Sequence, residues 1–228
     1  MLTKKIISGW NLQITDMLQL YKININHFKD PLEDKRLLQL VDHSRRQKVL
    51  RYLMPEDRKR SLGAGIIIRK ILKENGLCED CLKYSENGKP VADDVFFNVS
   101  HGGDYVVGVA SDCEVGCDIE KNGNAPLEVA ERYFYLSELE YIRSAADKSR
   151  AFFTLWTLKE SYMKMTGRGM SLPLDSFEVV PQREEFILGK SVEKGCFFKT
   201  AEFDGHIFSV SRELPFTLDP MDFHEIFL

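Results

Sequence analysis

Val115-Gly116-Cys117-Asp118-Ile119-Glu120-Lys121 and, further along, Trp156-Thr157-Leu158-Lys159-Glu160-Ser161-Tyr162-Met163-Lys164 decide how this chain is read. The first run has the β-branched and apolar content of a strand. Side chains alternate across a strand, so Asp118 and Glu120 face the same way, about 6–7 Å apart along the backbone. The second run reads as a helix, with Glu160 and Lys164 one turn apart. Three carboxylates and a lysine on two rigid elements suit a hard cation such as Mg²⁺ held against a phosphorylated substrate. Taken singly, an Asp-x-Glu is a short pattern, and a Glu-Lys pair at this spacing is also what a surface ion pair looks like. The rest of the chain has to discriminate.

With 228 residues, 43% of them hydrophobic and 29% charged, the chain can bury a normal core in one large domain or two small ones. A formal net charge of −4 argues against a general nucleic-acid or membrane binder. No apolar run reaches transmembrane length, and Met1 to Ile7 lacks the apolar stretch of a secretory signal, so a cytoplasmic protein is expected. Of the five cysteines, Cys78 and Cys81 form a lone Cys-x-x-Cys, with no second pair and no paired histidines to complete a zinc site. Free thiols in a reducing compartment fit better.

A strand is expected over Lys5 to Ile14. Helical spacing follows at Leu32 to Val41, Arg45 to Tyr52 and Arg58 to Lys73, the last carrying a stripe of Leu62, Ile66, Ile67, Ile71 and Leu72 that ends at Asn75-Gly76. A turn at Asn87-Gly88 leads to strands at Val95 to Val99, Tyr105 to Ala110 and Glu114 to Glu120. Helices are then expected over Leu127 to Phe134, Ser137 to Ser144 and Ser149 to Thr166. The break Gly167-Arg168-Gly169 follows, then strands at Phe177 to Val180, Cys196 to Phe203 and His206 to Ser211. Each half thus reads strand, helices, strands. This order predicts an α+β fold with antiparallel sheets, in two similar units covering residues 1–113 and 114–228.

Other residues suit phosphate. Ser100-His101-Gly102-Gly103 follows a short strand and can place a hydroxyl, an imidazole and backbone N–H groups around an anion. A Ser-His hydrolase dyad is disfavoured, because adjacent residues on an extended chain point apart. Arg45, Arg46, Lys48, Arg51, Arg58, Lys59 and Arg60 make a basic set that suits a solvated helix face or a polyanionic ligand, and Lys89 sits on a turn. No P-loop and no Gly-x-Gly-x-x-Gly is present.

In order, Gly88-Lys89-Pro90, Phe97-Asn98-Val99-Ser100-His101-Gly102, Gly116-Cys117-Asp118-Ile119-Glu120, Phe153 through Lys164 and Gly167-Arg168-Gly169-Met170-Ser171-Leu172-Pro173-Leu174 resemble the 4'-phosphopantetheinyl transferases. Length and organisation are similar to the large monomeric class that activates surfactin synthetase. The resemblance implies two α/β halves related by a pseudo-twofold axis, with coenzyme A bound between them. It implies transfer of the phosphopantetheine arm of coenzyme A to a serine of an apo acyl- or peptidyl-carrier protein, releasing 3',5'-ADP. By the same resemblance Asp118, Glu120 and Glu160 are Mg²⁺ ligands, and Lys164 lies near the diphosphate. Lys159, Ser100, His101 and Lys89 are coenzyme A contacts, as are Arg45, Lys48, Arg60 and Ser61 by a looser alignment. Asp118, Glu160 and Lys164 form the catalytic set, with Glu160 or a metal-bound water as the base. Pro126 to Tyr141, with Leu127, Val129 and Leu136, is a candidate carrier surface. Two rival readings are another Mg²⁺-dependent phosphotransferase acting on a small acceptor, and a non-catalytic nucleotide-binding regulator.

Overall fold

The wholly buried run Tyr105–Ser111 organises the computed structural model, which describes residues 18–182, 185–191, 193 and 195–228. The first half supplies β1 (Leu18–Asn24), helices α1 (His43–Arg51) and α2 (Pro55–Glu74), the ribbon β2 (Lys83–Tyr84) and β3 (Pro90–Val91), and the hairpin β4 (Phe96–Gly102) and β5 (Tyr105–Ser111). The second half supplies β6 (Val115–Lys121) and helices α3 (Leu127–Tyr133), α4 (Leu136–Ser144) and α5 (Lys148–Met165). It continues with β7 (Val179–Gln182), β8 (Glu185–Leu188), β9 (Phe197–Phe203), β10 (His206–Arg212) and β11 (Phe223–Glu225). The strand expected over Lys5 to Ile14 lies outside the described residues.

Two main sheets form, ordered β11-β1-β5-β4 and β6-β10-β9-β8-β7. Pairing is antiparallel except where β11 returns to lie parallel to β1. The halves repeat one connectivity: a strand, a long helix, then a hairpin whose second strand pairs back onto the first, giving β1-β5-β4 and β6-β10-β9. The fold is α+β as expected, and the repeat is what a pseudo-twofold relation requires.

Alternation along β5 explains the layering. Val106 and Ala110 face one way, into a core with Leu62, Ile67 and Ile71 of α2. Tyr105, Val107 and Val109 face the other way, against Val115, Cys117 and Ile119 of β6 and Phe208 and Val210 of β10. A strand apolar on both faces must be covered on both. The order is therefore helix, sheet, sheet, helix, with α5 closing the outer face of the second sheet.

Over Leu32 to Val41 only turns and a short 3₁₀ helix at Leu37–Leu40 form, not the expected helix. The Asp30 carboxylate accepts from the Leu32 N–H at 3.0 Å, and Asp34 holds both the N–H and the guanidinium of Arg36. Such local bonds compete with a helix for its backbone donors.

Helix α5 approaches β6 very closely. A Cβ on Gly116 would stand 2.1 Å from the carbonyl oxygen of Ser161 and 2.3 Å from the backbone nitrogen of Met165, so no side chain fits there. Hydroxyl pairs fasten α5 to β10, Thr157 to Ser209 at 2.7 Å and Ser161 to Ser211 at 2.6 Å. No helix among the described residues is long and apolar enough to cross a membrane.

Lys159, also on α5, has its side chain fully inside. Its ammonium lies 2.8 Å from Glu138, whose side chain is equally sealed from solvent, and donates to the carbonyls of Leu174 and Phe177 at 2.9 and 2.8 Å. Glu138 in turn accepts the N–H groups of Tyr135 and Val179. Burial pushes the Glu138 carboxyl up and the Lys159 ammonium down, each opposed by the other's charge. Removing one partner strands a buried charge. Lys159→Met is expected to cost roughly 3–5 kcal/mol in urea unfolding, and the double variant Glu138→Leu/Lys159→Met much less. Equal costs for single and double variants would refute the coupling.

Candidate active site

Gly116, Asp118 and Glu120 alternate onto the face of β6 that meets α5, while Val115, Cys117 and Ile119 enter the core between the sheets. Across the contact, Glu160 and Lys164 lie one helical turn apart on α5. The Lys164 ammonium reaches Asp118 Oδ1 at 2.5 Å and also donates to Ser100 Oγ at 2.8 Å. Ser100 Oγ in turn donates to Asp118 Oδ1 at 2.7 Å. The three groups close a triangle drawn from β4, β6 and α5.

Strand β4 is brought there by two contacts with β6. The Cys117 N–H donates to Asn98 Oδ1 at 3.0 Å. At Gly102 a Cβ would stand 2.1 Å from the Ile119 carbonyl oxygen, which requires glycine. Gly116 did not figure among the expected site residues, and Gly102 did so only as backbone beside an anion. A glycine inside an apolar strand is nonetheless the available sequence signal for such close approach.

The charges at this junction are unbalanced. Burial, and then Asp118, pushes the Glu120 carboxyl up to about 7, with Lys164 opposing. Burial and Asp118 likewise raise Glu160. Burial works against the Lys164 ammonium, but Asp118, by charge and hydrogen bond, outweighs it and holds that pKa above the ordinary lysine value. Asp118 Oδ2 is buried and receives no hydrogen bond. Among the described residues no three His, Cys, Asp or Glu side chains form a cage for an ion. Lys164 supplies the cation beside Asp118. An oxygen-only donor set with an orphaned carboxylate oxygen nevertheless fits Mg²⁺, which binds through one or two carboxylates together with water and substrate phosphate.

Several of the remaining expected residues border this group. His101 remains solvent-exposed; partial desolvation, then Lys164 and Arg60, lowers its pKa. The Arg60 guanidinium donates to the Gly103 carbonyl at 3.1 and 2.8 Å and to Asp57 at 3.0 Å, and its charge is felt by Glu120. Ser61, next on α2, has a buried hydroxyl with no hydrogen-bond partner. Lys89 pairs with Glu114 at 3.6 Å and lines a cleft of about 330 Å³ with Phe96, Phe97, Met165 and Gly167. Burial lowers its pKa, with Glu114 opposing.

Three residues stand apart. Arg45 is buried on α1 and lines a separate recess with Asp42, Gly65 and Arg69. Lys48, one turn on, is solvent-exposed, and partial desolvation, then the Arg45 charge, lowers its pKa. Lys159, expected beside coenzyme A, instead occupies the interior against Glu138. The reason is helical: one residue before Glu160, it is turned about 100° away from the β6 face.

Comparison with known proteins agrees with this geometry. The model of the 4'-phosphopantetheinyl transferase superfamily matches residues 114–210, and that of the 4'-phosphopantetheinyl transferase N-terminal unit matches residues 31–113. The chain is 33% identical over 197 residues to the 4'-phosphopantetheinyl transferase Ffp of Bacillus subtilis, covering 82% of this chain and 88% of the relative. It is 36% identical over 160 residues to the 4'-phosphopantetheinyl transferase Gsp of Aneurinibacillus migulanus, covering 68% of each. It is 30% identical over 200 residues to the 4'-phosphopantetheinyl transferase Sfp of Bacillus subtilis strain 168, covering 82% and 88%. With both halves matched in order and Asp118, Lys164 and Ser100 of the matched segments meeting at one point, the chain belongs to the 4'-phosphopantetheinyl transferase superfamily and is a transferase of that kind.

Proposed function

We propose that Asp118, Glu120 and Glu160 hold Mg²⁺ against the diphosphate of coenzyme A while the chain transfers phosphopantetheine to a serine hydroxyl of an apo carrier protein, leaving 3',5'-ADP. The observation that carries this reading is the Lys164–Asp118–Ser100 triangle, flanked by two further acids whose pKa values are raised. Such a cluster of acids is relieved by an added divalent cation. When bound, the ion supplies charge neutralisation at the diphosphate.

The chain's own residues then divide the work. Lys164 stays protonated through its pair with Asp118, so its ammonium can stabilise the charge on the departing phosphate oxygen. Glu160, with a raised pKa, is suited to accept the proton of the incoming serine. Ser100 fixes the Lys164 head group. His101, Arg60, Ser61 and Lys89 surround the nucleotide phosphates, with Arg45 and Lys48 further out. The nucleophile belongs to the carrier, so none is needed here. Units 1–113 and 114–228 supply the two walls of the site within one chain, which supports action as a monomer.

For the carrier, Leu136 is 76% exposed and Tyr133 37% exposed, whereas Leu127 and Val129 pack partly into the second core. The docking surface is therefore centred on Tyr133 and Leu136.

Asp118→Asn or Glu160→Gln is expected to lower transfer about 100-fold or more with circular dichroism unchanged. Chelation should stop the wild-type reaction and added Mg²⁺ restore it, as read by the mass of the carrier. Undiminished transfer after chelation would remove the metal from the scheme. Lys164→Ala should reduce kcat about 100-fold while coenzyme A affinity changes only a few-fold; the opposite split would place its role in binding. Leu136→Asp should raise KM for the carrier and leave KM for coenzyme A alone, and an unchanged carrier KM would move the surface elsewhere.

A further inference from the structure

We propose that His206 is a positioning residue: from the second half of the chain it fixes the β4–β5 turn whose Gly103 carbonyl aims Arg60 at the site. The inference rests on the reading of Arg60 as a coenzyme A phosphate contact.

His206 opens β10 and is 1% exposed. Both ring nitrogens are engaged by backbone. Nδ1 lies 2.8 Å from the Asp204 carbonyl, and Nε2 accepts the Asp104 N–H at 3.2 Å. A carbonyl can only accept and an N–H can only donate. The ring is thereby defined as the neutral tautomer with its proton on Nδ1. Its two partners lie on opposite halves, Asp204 in the β9–β10 turn and Asp104 in the β4–β5 turn. Tyr105 packs edge-on against the ring at 5.0 Å.

The β4–β5 turn has little freedom left. Gly103 has φ +52, and a Cβ there would stand 2.4 Å from His206 Nε2. Lys121 of β6 pairs with Asp104 at 2.7 Å. The Gly103 carbonyl then accepts both Nε and Nη2 of Arg60. A fork held by two bonds to one carbonyl has a fixed direction, and here the fixing begins at His206. Loosening the turn leaves Arg60 on α2 with Nη1 still held by Asp57 at 3.0 Å, but releases Nε and Nη2. The guanidinium can then swing about that one remaining bond, which weakens ligand binding without altering the groups at the reacting phosphorus.

Two substitutions separate this role from simple packing. The amide of Gln can reach the position of Nε2 and accept from Asp104, whereas Asn reaches only the position of Nδ1. With Mg²⁺ present, calorimetric titration of coenzyme A and steady-state kinetics are expected to show His206→Asn weakening coenzyme A about five- to tenfold, the worth of a lost hydrogen bond. His206→Gln should stay within about twofold of wild type, and kcat should hold in both. In an Arg60→Ala background His206→Asn should cause no further loss, because both act on one contact. Should His206→Asn not fold, His206→Gln alone keeps the test: affinity for coenzyme A within about twofold of wild type is expected, and a loss of about fivefold or more would overturn the inference. Wild-type affinity in His206→Asn, equal losses for Asn and Gln, or full additivity with Arg60→Ala would each overturn the inference. A wild-type protein that binds no coenzyme A would overturn the proposed function and this inference together.

Discussion

Lys164 meets Asp118 because nothing but a hydrogen atom stands on Gly116. Any Cβ there would strike the backbone of α5 at Ser161 and Met165. The glycine therefore sets the distance between helix and sheet at the point where both present charged side chains. Thr157–Ser209 and Ser161–Ser211 hold that distance along the neighbouring strand. A helix lying further out would leave the lysine and the aspartate as separate solvated groups. The chemistry follows from a packing contact.

The same contact leaves the acids in conflict. One ammonium faces three carboxylates: burial first, and then the charge of Asp118, raises the pKa values of Glu120 and Glu160, and one buried oxygen of Asp118 is reached by no donor. Two buried cations elsewhere among the described residues are paired. Arg58 is held against Asp30, and Lys159 against Glu138 with further backbone partners. Those balanced pairs lie within the two halves, whereas the unbalanced charge lies at the junction between them. Strain of this kind persists where the surrounding cores over-determine the geometry, and here three apolar clusters do so.

Much of this was legible in the residues themselves. The apolar stripe of α2, the all-apolar β5 and the alternation of β6 are local patterns, and each formed as its period predicts. The strands β1, β8 and β11 left weaker traces. β11 is only three residues long and exists by pairing with β1, at the other end of the described chain. At Leu32 to Val41 the spacing was helical, but Asp30 and Asp34 captured the backbone donors.

The site divides in the same way. The ordered motifs named the family and the acids, because residue type and spacing along one strand or one helix determine which side chains share a face. Sequence by itself therefore determined the α+β class, the pairing of Asp118 with Glu120 and of Glu160 with Lys164, and the reaction to expect. Only the tertiary structure decided that Lys159 turns inward to Glu138 while Glu160 comes within reach of the Asp118 charge, that Ser100 completes the triangle, and that His206 reaches across to the β4–β5 turn. The reason is range. Local periodicity fixes direction within one element, whereas which elements touch, and how closely, depends on the packing of residues far apart in the chain.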